Sequence, residues 1–281
     1  MVGTNVALLR PSPISGNDAG AIKFAVRYSE DSLVALNANP DSFVVAAVDF
    51  SEHLQVPHVL SPNPRLDYCR LLSHFFPIEW PKRIESTAVV SPTAIIGGGA
   101  YVGHGVIIED GVRIGDETVI LHNTVIAAGV KIGTRCLIKS GTVVGQKGFG
   151  FERDANGNPV AFNHYGSVVI GDFVEIGALS TIAAGALVDT RISDYVKIDD
   201  HVFVAHNVVI GESSLIIAGA EISGGVSIGK RCWLGPNCSI IDGISIGDEA
   251  FIGIGAVVTK SVPPSVVVAG NPARVLRRLD E

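Results

Sequence analysis

A mainly-β chain wound into a parallel coil, preceded by a small α/β unit, is the fold class the sequence predicts. Three observations carry it. Aliphatic residues recur every six positions over most of the chain, glycines stand beside many of them, and the pattern is missing from the first 80 or so residues, where helix and strand spacings alternate. A period of six is neither helical nor the alternation of a flat sheet; it marks stacked turns in which each six-residue side sends one side chain inward.

The N-terminal part reads as an α/β unit over residues 1–82. Ile22 to Val26 is a candidate strand. Ser29 stands as a helix cap before Leu33 and Leu36 at helical spacing, and Phe43 to Val48 is an apolar, β-rich run of the kind found in buried strands. His58 to Leu60 is a further short strand. Asn63 and Pro64 then form a cap and first helical residue, with Leu66, Cys69, Leu72 and Phe76 predicted on one face and Pro77 as the stop.

From Ile84 the repeat runs through Val90, Ile96, Val102, Ile108, Ile114, Ile120, Ile126, Ile132 and Ile138 to Val144. It resumes at Ile170, Ile176 and Ile182, and again from Ile192 through Ile198 and Val204 to Ile252 and Val258. This predicts a coil over residues 83–262. Burying each such side chain is worth about 1.5–3 kcal/mol. Glycines 97, 103, 115, 133 and 145 follow inward positions and read as tight corners. Between Val144 and Ile170 lie 26 residues instead of 24, with Asn156-Gly157 as a turn signal, so a hairpin over 146–168 is expected. Between Ile182 and Ile192 the gap is 10 instead of 12, which reads as cancelling that excess. Residues 263–281 read as a C-terminal tail that begins where prolines end the repeat.

A net charge of −7 offers no basic face for a phosphate backbone, so nucleic acid is not an expected partner. No apolar run reaches the roughly 18 residues of a membrane helix, and the opening lacks the features of a signal peptide. Cys69, Cys136, Cys232 and Cys238 show no CxxC spacing, so neither a zinc knuckle nor a disulfide framework is expected. A cytoplasmic location follows as the expectation.

The six-residue repeat resembles the left-handed parallel β-helix of the hexapeptide acyltransferases, whose turns have three sides. Within them, GAIKFAVRYSEDSL, NPRLDYCRLLSHFF, SGTVVGQKGFGFERDANGN, VVIGDFVEIGALSTIAAGALVDT and VKIDDHVFVAHNVVIG resemble UDP-3-O-acylglucosamine N-acyltransferase of lipid A synthesis. The resemblance implies a uridine-binding role for residues 1–82 and acyl transfer in the coil. It implies a homotrimer, with acyl-coenzyme A or acyl carrier protein as co-substrate and no permanent cofactor or metal. Two departures matter. Where the lipid A enzyme has Asn-Gly-His, this chain reads Ile241-Asp242-Gly243-Ile244; and Gly270-Asn271-Pro272-Ala273 resembles the ending of coenzyme A-dependent sugar acetyltransferases. The expected reaction is therefore N-acylation of a nucleotide-linked amino sugar for surface polysaccharide, with the lipid A reaction as the alternative.

Moving an acyl group from a thioester to an amine needs a base for the amine proton and a donor for the oxyanion. His206, in Ala205-His206-Asn207, is the candidate base, and Gly224, 18 residues on, matches the family's oxyanion position or is a plain corner glycine. Asp199 matches the family's carboxylate and is expected to contact the sugar or the imidazole; Asn207 holds the imidazole or the substrate, or satisfies a corner amide. Phe24 and Tyr28 resemble the pair that sandwiches uracil, against an ordinary core role. Gly270, Asn271, Pro272 and Arg274 are the expected donor-binding set. His104, His122, His164 and His201 read as solvated coil residues, although His164, His201 and His206 also resemble the zinc ligands of γ-class carbonic anhydrases. A binding scaffold without turnover is the third class.

Overall fold

The computed structural model describes residues 10–51 and 53–279; the start of the predicted α/β unit and the last two residues of the predicted tail lie outside them. The chain divides into two compact units, residues 1–79 and 80–281. In the first, four parallel strands, β1 (Arg10–Pro11), β2 (Ala21–Ala25), β3 (Phe43–Ala47) and β4 (His58–Ser61), lie in that order with α1 (Glu30–Asn37) and α2 (Pro64–Phe75). The caps are those the sequence marks: the side chains of Ser29 and Asn63 accept from the N–H groups of Ser32 and Leu66. The buried face of α2 is the predicted one in part. Leu72 and Phe76 pack inward as expected, whereas Leu66 and Cys69 are exposed and Tyr68 and Leu71 turn inward in their place, because Tyr68 fills the space over Ile22 and Val45 and donates its hydroxyl to Ile22 O.

The second unit is a coil of three sheets of ten, nine and eight strands, parallel except for the last strand of the first, consistent with the left-handed β-helix. Successive sides pass from the first sheet to the second, then the third, so residues 18 apart stack: Ile198 on Ile216, Val204 on Ile222, Ile210 on Ile228. Their side chains join in one continuous aliphatic core. Ile84 is the exception at 48% exposed, since the first coil has a stacking neighbour on one side only.

The glycines at the corners serve a purpose other than the expected one. Of those five, only Gly145 has a positive φ; the left-handed residue lies three places after the inward aliphatic, as at Gly105, Asn123 and Asn207. Gly97, Gly115 and Gly133 are required by close approach, because a Cβ on any of them would come within 2.5 Å of the next coil. The C-terminal segment also differs from a tail. Val266–Ala269 adds a parallel strand beside Phe251–Ile252, and Arg274–Arg278 folds back antiparallel on it, so the first sheet continues past the prolines.

The interruptions are not the cancelling pair that counting by six implies. Val144 and Ile170 are successive inward positions on the second and third sheets, so that one side carries twenty additional residues. These include the expected hairpin, Phe151–Arg153 against Pro159–Ala161. Ile182 and Ile192 are likewise successive, and that side carries four additional residues. The period repeats after every side, so counting modulo six cannot tell a skipped side from an inserted loop. Both insertions leave the coil at one corner, between the second and third sheets.

Candidate active site

That same corner carries His206, which follows the second-sheet strand Phe203–Val204, and Gly224, which follows Glu221–Ile222 one coil on. His206 is half-buried, and its ring is held in one orientation. Asn207, in the left-handed region at φ 61°, places its Oδ1 2.9 Å from His206 Nδ1. The same Oδ1 accepts from Ala186 N–H at 3.1 Å, while Nδ2 donates to Val188 O at 3.2 Å, so an oxygen faces the imidazole. His206 Nδ1 therefore carries the proton, and Nε2 keeps its lone pair. Ala186 and Val188 belong to the four-residue insertion; its local role is to fix Asn207. The Asn207 N–H is itself held by Thr190 Oγ1 at 2.9 Å.

Gly224 lies against the imidazole. A Cβ there would stand 2.6 Å from His206 Cε1 and 2.8 Å from Nε2, so only glycine leaves room for the ring. The Gly224 carbonyl accepts from Gly243 N–H, and among the described residues no acceptor takes the Gly224 N–H. At corners between other sheets an acidic side chain fills that role, as Asp248 does for Lys230 N–H at 2.8 Å, whereas in the column of Gly224 the N–H groups of His206 and Asp242 are likewise uncapped among the described residues. The stacking residue above Gly224 is Asp242, whose carboxylate makes no such bond. A base with a free lone pair and an uncapped amide thus share one corner.

Asp199 is not brought to His206 within this subunit. It sits at the corner between the first and second sheets, where its carboxylate accepts from Asp200 N–H at 2.9 Å and Ala218 N–H at 3.3 Å. His201 occupies the same corner and is exposed. His164, expected to be solvated, is 6% exposed; the hairpin folds back and packs its ring against His206, centroids 5.3 Å apart. No sequence signal marks this contact, because it depends on how the insertion returns. Among the described residues no three of His, Cys, Asp and Glu stand together as a metal cage. Burial pushes the thiols of Cys136 and Cys238 up to about 11 and about 12, so neither is a thiolate at neutral pH.

Gly270, Asn271 and Pro272 are exposed, whereas Arg274 lines a groove of about 240 Å³ with Thr259, Lys260, Ser261 and Val275. Lys260 continues the column of His206, Gly224 and Asp242, three coils beyond the histidine. At about 4.8 Å per coil the separation is roughly 14 Å.

In the first unit, Phe24 packs on Tyr68 with centroids 4.6 Å apart, and its remaining surface lines an open groove of about 580 Å³ with Ser12, Ile14, Ser15, Asp31 and Ser32. Tyr28 is exposed, against Phe50 and His53. Sequence reasoning passed over Lys23. Fully buried, it donates its Nζ to Ile14 O and Gly16 O and so fastens the loop that walls this groove; burial pulls its amine below the usual lysine range.

Two segments match known repeats: residues 111–146 the bacterial transferase hexapeptide (six repeats), and residues 225–260 the hexapeptide repeat of succinyl-transferase. The UDP-3-O-acylglucosamine N-acyltransferase of Fusobacterium nucleatum is 48% identical over 83 residues, 30% of this chain and 25% of that enzyme. Its Coxiella burnetii counterpart is 50% identical over 82 residues, 29% of this chain and 24% of the enzyme. In these matches the chain spans about a quarter of its relatives' length. Among solved structures, the Francisella novicida UDP-N-acetylglucosamine acyltransferase superposes with a TM-score of 0.63 at 27% identity, covering 69% of each chain. The Moraxella catarrhalis UDP-N-acetylglucosamine O-acyltransferase also gives 0.63, at 22% identity over 70% of this chain and 74% of that one, a likeness of fold. Repeat, coil and relatives together make this chain similar to the hexapeptide-repeat acyltransferases, among them the UDP-3-O-acylglucosamine N-acyltransferases.

Proposed function

We propose that the protein is an N-acyltransferase that moves an acyl group from a thioester donor to the amine of a nucleotide-linked amino sugar. The observation that carries this is the corner itself: a His206 ring with its proton fixed on Nδ1 by Asn207, its Nε2 lone pair free, and the uncapped Gly224 N–H beside it. Nε2 takes the amine proton as nitrogen attacks the thioester carbonyl, and the Gly224 N–H donates to the oxyanion that forms. The attack forms the C–N bond of a tetrahedral intermediate, whose collapse restores the carbonyl, breaks the C–S bond and returns the proton from Nε2 to the departing thiolate.

Acyl-coenzyme A is the favoured donor. The groove beside Arg274 and Lys260 stands roughly 14 Å along the corner from His206, a distance an extended thiol arm covers when its phosphates rest on the two cations. Phe24, Tyr28 and the groove of the N-terminal unit serve the nucleotide base, Asn207 holds the imidazole, and Asp199, at the corner between the first and second sheets, is the carboxylate offered to the sugar from a neighbouring subunit. The lipid A reaction, with a long acyl chain from a carrier protein, is the second reading, supported by the names of the two relatives. A γ-carbonic-anhydrase-like zinc site has no comparable support: His201 and His206 stand at different corners.

Assay of UDP- and dTDP-amino sugars against acetyl, hydroxybutyryl and hydroxymyristoyl donors separates the readings. Turnover with short-chain coenzyme A thioesters is the expected result. Turnover of UDP-3-O-acylglucosamine alone, with a long-chain carrier donor, selects the lipid A reaction. In the same panel Phe24→Ala weakens sugar-nucleotide binding by about tenfold or more, in line with the roughly 1–3 kcal/mol of a base–aromatic stack, and leaves the chemical step nearly intact. Unchanged affinity makes Phe24 a core residue.

The assembly we propose is a homotrimer. Successive strands of the second sheet send Val89, Ile107, Val125, Val143, Thr181 and Phe203 outward, an apolar stripe that a neighbouring coil would cover. A threefold arrangement sets each His206 corner against the next subunit. Light scattering is expected to give three chains; an active monomer rules the trimer out.

A further inference from the structure

Among the described residues only two buried side-chain polar atoms lack a hydrogen-bond partner, Ser167 Oγ and His164 Nε2, and the second stands beside the candidate base. His164 Nδ1 lies 3.0 Å from Phe162 O. A carbonyl only accepts, so Nδ1 holds the proton, and Nε2 is a bare acceptor kept from water at a cost that native proteins rarely leave uncompensated. The Nε2 atom lies on the side of His206. A Cβ built on Gly148 would fall 2.9 Å from His164 Nε2 and 3.2 Å from His206 Cδ2, so the two atoms flank one point that glycine leaves without a side chain. The two ring planes are inclined at 72°.

We propose that His164, carried in by the hairpin insertion, is a positioning residue that acts through His206. This rests on the reading of His206 as the base. While His206 is neutral, the lone pair of His164 Nε2 has nothing strongly positive before it. When His206 takes the amine proton, the charge spreads over the imidazolium and its Cδ2–H edge becomes an electropositive C–H donor beside that lone pair. The interaction is therefore stronger in the charged transition state than in the resting enzyme, which is the condition for accelerating the chemical step. It also accounts for the insertion. Twenty residues leave the coil at the one corner where their return limb can bring a second histidine against His206. Gly148 permits the approach.

The test uses the full-length protein, with His164→Phe to keep a ring and remove the lone pair, and His164→Gln to keep an acceptor oxygen. His164→Phe is expected to lower kcat by about tenfold to a hundredfold, below the usual loss of a full oxyanion-hole donor, with KM for the sugar nucleotide unchanged. His164→Gln should recover most of the loss. The thermal midpoint of His164→Phe should equal or exceed that of the unaltered protein, since an unpaired buried acceptor has been removed. Equal turnover in His164→Phe and the unaltered protein overturns the role of His164. So does a KM effect alone, or a common loss in both variants with lowered melting, which marks a packing residue. Nitrogen-15 NMR of the unliganded protein reads the tautomer directly and does not depend on activity: a proton on His164 Nε2 also overturns the proposal. Absence of acyl transfer by the unaltered protein across the amino-sugar panel instead defeats the proposed function, and the role assigned to His164 falls with it.

Discussion

The His206→Ala protein is expected to turn over roughly 10²–10⁴ times more slowly, the usual loss for a missing general base, while binding sugar nucleotide with nearly the original affinity. The separation follows from the architecture. His206 belongs to a corner of the coil, and the groove lined by Phe24 belongs to the other compact unit, whose fold does not depend on the imidazole. The substitution should also leave the coil standing, because the stability of that corner comes from Val204 and Val208, both fully buried on either side, and from Asn207, whose bonds to Ala186 and Val188 survive. Single-turnover rates with the best substrate pair of the panel, beside calorimetry with the nucleotide sugar alone, make the measurement. A rate within a factor of a few of the unaltered protein removes His206 from the mechanism. A parallel fall in affinity would instead place the histidine in ground-state binding.

The coil and its corner were legible in the sequence to different degrees, for physical reasons that differ residue by residue. The inward positions announce themselves because each stacks on its equivalent 18 residues away and tolerates only an aliphatic side chain, as with Val204 on Ile222. His206 and Asn207 were legible from the Ala-His-Asn phrase, but which of its alternative roles Asn207 takes was decided only by the bond to His206 Nδ1. The two insertions were found but misassigned, since a period that repeats on every side does not say which side has been lengthened. Assigning the inward residues to three sheets in turn resolves it and puts both loops beside His206. His164 reads in the sequence only as a solvated residue or a zinc ligand, and its packing on His206 was not legible. It lies 42 residues before His206, in a segment with no repeat, and its burial is created by the return of a hairpin. The helix α2 shows the same limit on a smaller scale: periodicity allowed two neighbouring faces, and packing of Tyr68 on Phe24 decided between them.

Gly224→Ala is expected to be nearly as damaging to turnover as loss of the histidine, on the order of 10²-fold or more, and for a reason that separates geometry from hydrogen bonding. Gly224 is not among the glycines with positive φ, so alanine meets no backbone strain there, and the N–H proposed to face the oxyanion is retained. What changes is space. The new Cβ would lie 2.6 Å from His206 Cε1, 2.8 Å from Nε2 and 3.2 Å from Nδ1, too close for any real contact, so the ring has to swing outward. That motion opens the 2.9 Å hydrogen bond to Asn207 Oδ1, which fixes both the orientation of the imidazole and the position of its proton. Displacements of about 1 Å in a catalytic group cost on the order of 10²-fold, because the near-attack geometry is lost. The coil itself should melt close to its original temperature, since the core beneath, Ile222 and Val226, is untouched. A crystal structure of the variant would show the tilted ring, and nucleotide binding should be preserved. Turnover equal to that of the unaltered protein would mean that the productive position of His206 lies away from Gly224, and the pairing of base and amide at this corner would have to be given up.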